Sequence, residues 1–208
     1  MAEILRRYTN IPALIYLLRE RKITLLDPDS WDDRNDSYYL SLYRQKKSLK
    51  SILALCFTQV SETYHHWHVF AEGSSGVCIQ FRHAALVRAI KKHPGVTAKS
   101  VRYLTLNEIR RKKLTTNQLP FLKRYPYEDE REFRAIYESS VGKKKKFLDI
   151  PVPLSCIDRI TLSPWIPIAL KNHLRRTIQE IDGCGSLPVF RSTLISNEEW
   201  KSLGEDAK

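Results

Sequence analysis

Apolar and polar positions change period several times along the chain, and each change marks an element. Leu5–Thr9 reads as a strand; Leu14, Leu17 and Leu18 then fall on one face of a helix from about Pro12 to Arg21. Asn10 is placed to cap that helix, with Pro12 in its first turn. A second strand, Ile23–Leu26, breaks at Asp27-Pro28, and Asp29–Leu40 (DSWDDRNDSYYL) is too rich in Asp and Asn for a core element. Ser51–Thr58 is continuously apolar, as a buried central strand is. Glu62–Glu72, aromatic and rich in histidine, is expected to be helical, followed by a turn at Gly73–Gly76 and a strand at Val77–Phe81. A basic helix over Ala84–Lys92 ends at His93-Pro94-Gly95, a short strand covers Ser100–Leu104, and a second basic helix runs over Asn107–Lys123, stopping near Pro120. Arg131–Ser139 alternates as a strand does; further strands follow at Phe147–Val152 and Cys156–Leu162, an amphipathic helix at Ile166–Ile181 and a final strand at Leu187–Ile195.

This order predicts an α+β (mixed α/β) fold: one central, largely antiparallel sheet flanked by helices. A single domain over 1–208 is expected, with a core at about 5–162, a C-terminal helix and strand in 163–196 and a short polar tail at 197–208. A chain of 208 residues buries enough surface to need no covalent staple. The four cysteines, Cys56, Cys78, Cys156 and Cys184, show no metal-type spacing and read as small hydrophobes; no metal is expected. Apolar runs fall short of the roughly 18 residues of a membrane span, and polar residues interrupt the N-terminal stretch, which argues against a signal peptide. The expectation is a soluble cytoplasmic protein without membrane contact.

Charge adds the first hint of a partner. Lys and Arg number 35 against 23 Asp and Glu, a formal net charge of +12, with a pI near 9.6. Such a balance favours a polyanion, most often nucleic acid, here expected to be DNA. Lys143, Lys144, Lys145 and Lys146, and Arg110, Arg111, Lys112 and Lys113, are the clusters placed to follow a phosphate backbone.

Glycine-rich phosphate loops, a G-x-S-x-G elbow and HExxH are all missing, which removes the common nucleotide-binding, hydrolase and zincin readings. Three polar constellations remain. Asp32-Asp33-Arg34-Asn35-Asp36 is either a side-chain-to-backbone turn or a site with Asp36 facing a pocket. His65-His66-Trp67-His68 lacks the i,i+4 histidine pair that zinc on a helix needs; Trp67 and His68 instead offer rings for a base. On a strand, Glu130, Glu132 and Arg134 share one face, with Phe133, Ala135 and Tyr137 on the other. Two carboxylates beside an arginine can hold different protonation states, so this face is the best catalytic candidate.

The order of motifs resembles a known family. Arg7-Tyr8, Asn35-Asp36, Cys56-Phe57-Thr58, Trp67 to Phe70-Ala71 leading into Gly76-Val77-Cys78-Ile79-Gln80-Phe81, and Glu130-x-Glu132-Phe133-Arg134 are similar, in sequence order, to the prokaryotic domain-of-unknown-function family 2971. Ser37-Tyr38-Tyr39 stands where the family has Pro-Phe-Glu, and Phe70 where it has Tyr. The resemblance implies a bacterial toxin or phage-defence setting and no assigned reaction. More loosely, the opening strand–helix–strand and the late glutamate strand look similar to ADP-ribosyltransferase-like folds, in which such residues hold NAD.

The chemistry expected from these residues is attack on an N-glycosidic bond, through an oxocarbenium-like transition state that a fixed carboxylate stabilises. Glu132 would serve there, with Asp36 or Glu130 as its partner. Arg7 and Arg134 would orient phosphate or carboxylate, while Tyr8, Asn35, Trp67 and His68 would bind the substrate. Base excision from DNA, possible on phage-modified DNA, would need no cofactor; ADP-ribosyl transfer would need NAD. A metal-dependent nuclease using Asp36, Glu130 and Glu132, and a non-enzymatic DNA- or RNA-binding module, are the alternatives.

Overall fold

The computed structural model describes residues 3–71 and 73–205. Residue 72, at the end of the expected Glu62–Glu72 segment, and residues 206–208 of the polar tail lie outside the described residues. The chain opens with β1 (Ile4–Asn10), α1 (Ile11–Glu20) and β2 (Lys22–Leu26). Asn10 caps α1 by accepting from the Ala13 amide, and Arg21 ends it in the left-handed region. Then come α2 (Arg34–Lys46), β3 (Ser51–Thr58), α3 (Tyr64–Phe70), β4 (Gly76–Arg82) and α4 (His83–Ile90). Short elements follow: β5 (Val96–Ser100), β6 (Arg102–Leu104), α5 (Leu106–Arg110) and β7 (Leu122–Arg124). The chain ends with β8 (Glu132–Ser139), β9 (Phe147–Pro151), β10 (Ile157–Leu162), α6 (Ile168–Gln179), β11 (Val189–Arg191) and α7 (Glu198–Glu205).

Nine strands form one sheet in the order β11-β10-β4-β1-β3-β2-β9, with β8 and β5 added beside β3; β6 and β7 make a separate parallel pair. Every contact in the large sheet is antiparallel except β10 with β11. The fold is therefore the mixed, mainly antiparallel α+β domain expected from the pattern. No helix among the described residues is long and apolar enough to cross a membrane.

Alternation along β3 and β8 sends successive side chains to opposite faces. Leu53, Leu55 and Phe57, with Phe133, Ala135 and Tyr137, join the main core beneath α1, α4 and α6. Ile52, Ala54 and Ile136 face the other way and pack under Leu40 and Tyr43 of α2. Trp67 of α3 closes a smaller cluster with Cys78, Ala71 and Tyr8 on that second face.

β3 holds the sheet together. One edge pairs with β8 over its whole length, from Ser51↔Ser139 to Thr58↔Glu132. The opposite edge is divided: Thr58 meets Arg6 of β1, while Ala54 meets Leu26 of β2. Cys56 falls between the two, where the sheet parts.

Three expectations need correcting. Asp29–Leu40 does contribute to the core, because Asp33 caps α2 and the helix then buries Asp36, Leu40 and Tyr43. The long helix over Asn107–Lys123 does not form: α5 stops at Arg110, a 3-10 turn spans Thr116–Phe121 with Pro120 inside it, and Lys123 lies on β7. Glu130 is not on the strand. It ends a 3-10 segment, and Arg131, with a left-handed φ of 41°, turns the chain into β8.

Candidate active site

Glu132 and Arg134 project from β8 onto the α2 side of the sheet, and α2 brings Asp36 down onto them. Arg134 is wholly buried; its Nη1 and Nη2 donate to the two Asp36 carboxylate oxygens at 2.8 and 2.5 Å. Nε and Nη2 donate to the two oxygens of Glu132 at 2.5 and 2.9 Å, and Nη1 also reaches the Pro120 carbonyl at 3.0 Å. Trp31 lies over the guanidinium at 5.1 Å. Such planar, bidentate recognition on both sides fixes both carboxylates.

Lys123 enters from β7. Its Nζ donates to Glu130 at 2.6 Å and stands 3.6 Å from Glu132, 3.9 Å from Asp36 and 4.0 Å from Asp33. Four carboxylates thus surround two cations, so not all are equally ready to ionise. Burial pushes Asp36 and Glu130 upward, more than Arg134 and Lys123 respectively pull them down. Burial acts on Glu132 as well, but there Arg134, Lys123 and the Cys56 thiol outweigh it and hold the carboxyl below its ordinary value. Of Asp36, Glu130 and Glu132, Glu132 alone is held toward its ionised form. Its backbone N–H is also fixed, donating to the Tyr103 hydroxyl at 2.8 Å.

At the parting of the sheet, Cys56 is partly exposed and lies next to Glu132; burial and that carboxylate push its thiol well up. Arg7, from β1, also lies near Cys56. Burial pulls its pKa down to about 10, and among the described residues its guanidinium makes no hydrogen bond and no ion pair. Arg7 is only partly buried, so a guanidinium without a counter-charge there can still be reached by an anion.

The other expected residues lie around this centre to differing degrees. Tyr8 stacks on His66 at 5.4 Å and meets Trp67 edge-on at 5.1 Å; its hydroxyl is buried without a hydrogen-bond partner. Trp67 has no exposed surface, and its indole N–H donates to Glu62. His68 is exposed at the outer side of α3, packed on Trp165 and Tyr64. Asn35 is exposed in the first turn of α2, its amide bonded to Asp33. Lys143, Lys144, Lys145 and Lys146 form the exposed loop between β8 and β9, where Lys144 is tied to Asp27 and Asp29. Arg110, Arg111, Lys112 and Lys113 are exposed at the end of α5. Two surface cavities, one beside Arg19 and Glu180 and one beside Ile168 and Arg191, do not open onto the carboxylate cluster.

Reading the sequence missed Lys123 and Cys56. Lys123 carries no signal, as one lysine among many in a stretch that reads as helix, and Cys56 reads as a strand hydrophobe.

No family model matches the chain, and no curated protein matches it in sequence. The similarity to family 2971 rests on the motifs alone. Among solved structures, the fold is similar to DarT from Thermus sp. 2.9 in complex with ADP-ribosylated ssDNA, at 12% identity and a TM-score of 0.47, over 92% of this chain and 94% of that one. The same DarT in complex with NAD+ aligns at 10% identity and a TM-score of 0.45, over 92% of this chain and 96% of that one. Its complex with carba-NAD+ gives 10% and 0.44, over 96% and 97%.

Proposed function

We propose that the chain transfers ADP-ribose from NAD to a nucleic acid, with reaction at the parting of the sheet beside Cys56. The observation that carries this reading is Arg7: a partly exposed guanidinium with no hydrogen bond or ion pair among the described residues, separated by one thiol from a carboxylate held ionised. NAD offers the two complements, a pyrophosphate for Arg7 and a C1′ centre that becomes cationic as nicotinamide leaves.

In this reading the C1′–N bond breaks and its electron pair leaves with nicotinamide. Glu132 stabilises the positive charge developing at C1′. A heteroatom of the nucleic acid supplies the pair for the new C1′ bond and gives its proton to Glu132. Arg134 and Asp36 are positioning residues: Asp36 is 2% exposed and is linked to Glu132 through the Arg134 guanidinium and the Lys123 ammonium between them. The net charge of +12 favours a polyanionic acceptor.

The test is mass spectrometry of DNA and released small molecules after incubation with NAD+. NAD+ and single-stranded DNA, the ligands of the DarT complexes, are the first reagents to try. Free nicotinamide and an ADP-ribose adduct are expected from the wild type and neither from Glu132→Gln, while Arg7→Ala should raise the NAD+ concentration needed by about tenfold or more. An adduct formed undiminished by a folded Glu132→Gln protein would overturn the reading. Free base and abasic sites formed without NAD+ would replace it by base excision.

A further inference from the structure

The second face of the sheet continues from the carboxylate cluster across β1, β4 and β10 to the outer strand β11. Around that outer edge the chain exposes the rings of Tyr64, His68 and Phe190, while Trp165 is partly buried against the Trp67 cluster. Tyr64 is 57% exposed, with its ring 4.3 Å from His68 and 6.0 Å from Trp165; His68 and Trp165 are 4.9 Å apart. The three rings form a contiguous group on α3 and the loop after β10, with Tyr64 and His68 exposed and Trp165 partly buried beneath them. Beside it, Arg191 donates to the carbonyls of Pro164 and Ile166, either side of Trp165. The next ring along is Phe190, 51% exposed, with the Arg159 guanidinium 5.6 Å above it.

Phe190 and Arg191 also line a surface groove of about 270 Å³ whose charged lining is wholly basic: Lys171, Arg175 and Arg191. The side chains of Lys171 and Arg175 take part in no hydrogen bond or ion pair among the described residues. We infer that this edge is a binding platform for a single-stranded polynucleotide. Unpaired bases stack on the Tyr64–His68–Trp165 group and on Phe190, and Lys171 and Arg175 hold the intervening phosphates.

The chemistry selects single strands. Exposed ring faces can take only bases that are not already stacked and paired, whereas the free cations would accept any phosphate backbone. A protein partner of ordinary composition would leave Lys171 and Arg175 without counter-charges; a polyphosphate satisfies them. The inference deepens the proposed function by naming where the acceptor strand lies, and it rests on that reading only for what happens to the strand afterwards.

Fluorescence anisotropy of labelled 12-mers, without NAD+, tests it with three probes: single-stranded DNA, single-stranded RNA and duplex DNA. Both single strands are expected to bind at least tenfold more tightly than the duplex. Tyr64→Ala and Phe190→Ala, both at exposed rings, should each weaken single-strand binding about tenfold with little change in salt dependence. Lys171→Glu/Arg175→Glu should weaken it and flatten the dependence on salt. Equal affinity for duplex, or binding within twofold of wild type in both ring variants, overturns the platform. So does the lack of binding by any probe, which would leave the rings to a protein partner. Intact single-strand binding with no ADP-ribose transfer would overturn the proposed function alone.

Discussion

Arg134 has five N–H donors, and each finds an acceptor: two oxygens of Asp36, two of Glu132 and the Pro120 carbonyl. Its removal leaves two buried carboxylates facing one another across an empty slot. Arg134→Leu is therefore expected to cost about 3–5 kcal/mol, read as a lower midpoint in urea at neutral pH. Glu130 shows the opposite sign. Burial raises its folded pKa above the unfolded value, so its contribution is most favourable at low pH and is lost as pH rises through the unfolded and then the folded value. Glu130→Gln should match the wild type in Tm near pH 4 and exceed it near pH 7. A gap in Tm that does not change with pH would show that Lys123 balances the charge fully.

Element by element, much of the architecture can be read along the chain. Strands with a clean alternation or a continuous apolar run, such as β3 and β8, stand within a residue or two of their expected ends. α2 could not be seen because its stabilising features are polar. Asp33 accepts from the Asn35 and Asp36 amides, and Asp36 is buried by an arginine 98 residues away. A helix whose fully buried residues are Leu40, Tyr43 and a carboxylate has little hydrophobic period to detect. Glu132 and Arg134 on one face were legible, since their spacing on a strand is itself geometry; the Asp36 carboxylate on the same arginine and Lys123 were not, because one comes from 98 residues away and β7 has no pattern of its own. The cap gives a direct test. Asp33→Ala should lose about 1 kcal/mol, or roughly 2–4 °C in Tm for a chain of this size. Asp33→Ser, which keeps the cap and removes the Oδ2 atom buried without a hydrogen bond, should hold or gain stability.

Across the whole molecule, order is expected to be graded by depth. β3 is hydrogen-bonded on both edges and buried on both faces, whereas α7 buries none of its residues, with Trp200 79% exposed. Native-state hydrogen exchange should find the slowest amides on β3 and β8 and the fastest helical ones on α7. The same layout bears on how the chain is made. Asp36 leaves the ribosome 98 residues before Arg134, an interval of about 5–20 s at ordinary rates of synthesis. During that time α2 has a carboxylate with nowhere to go, and β3 lacks the strand that fills its longer edge. The two deficits end together as β8 emerges, so the nascent chain stays open until nearly two thirds of it has been translated.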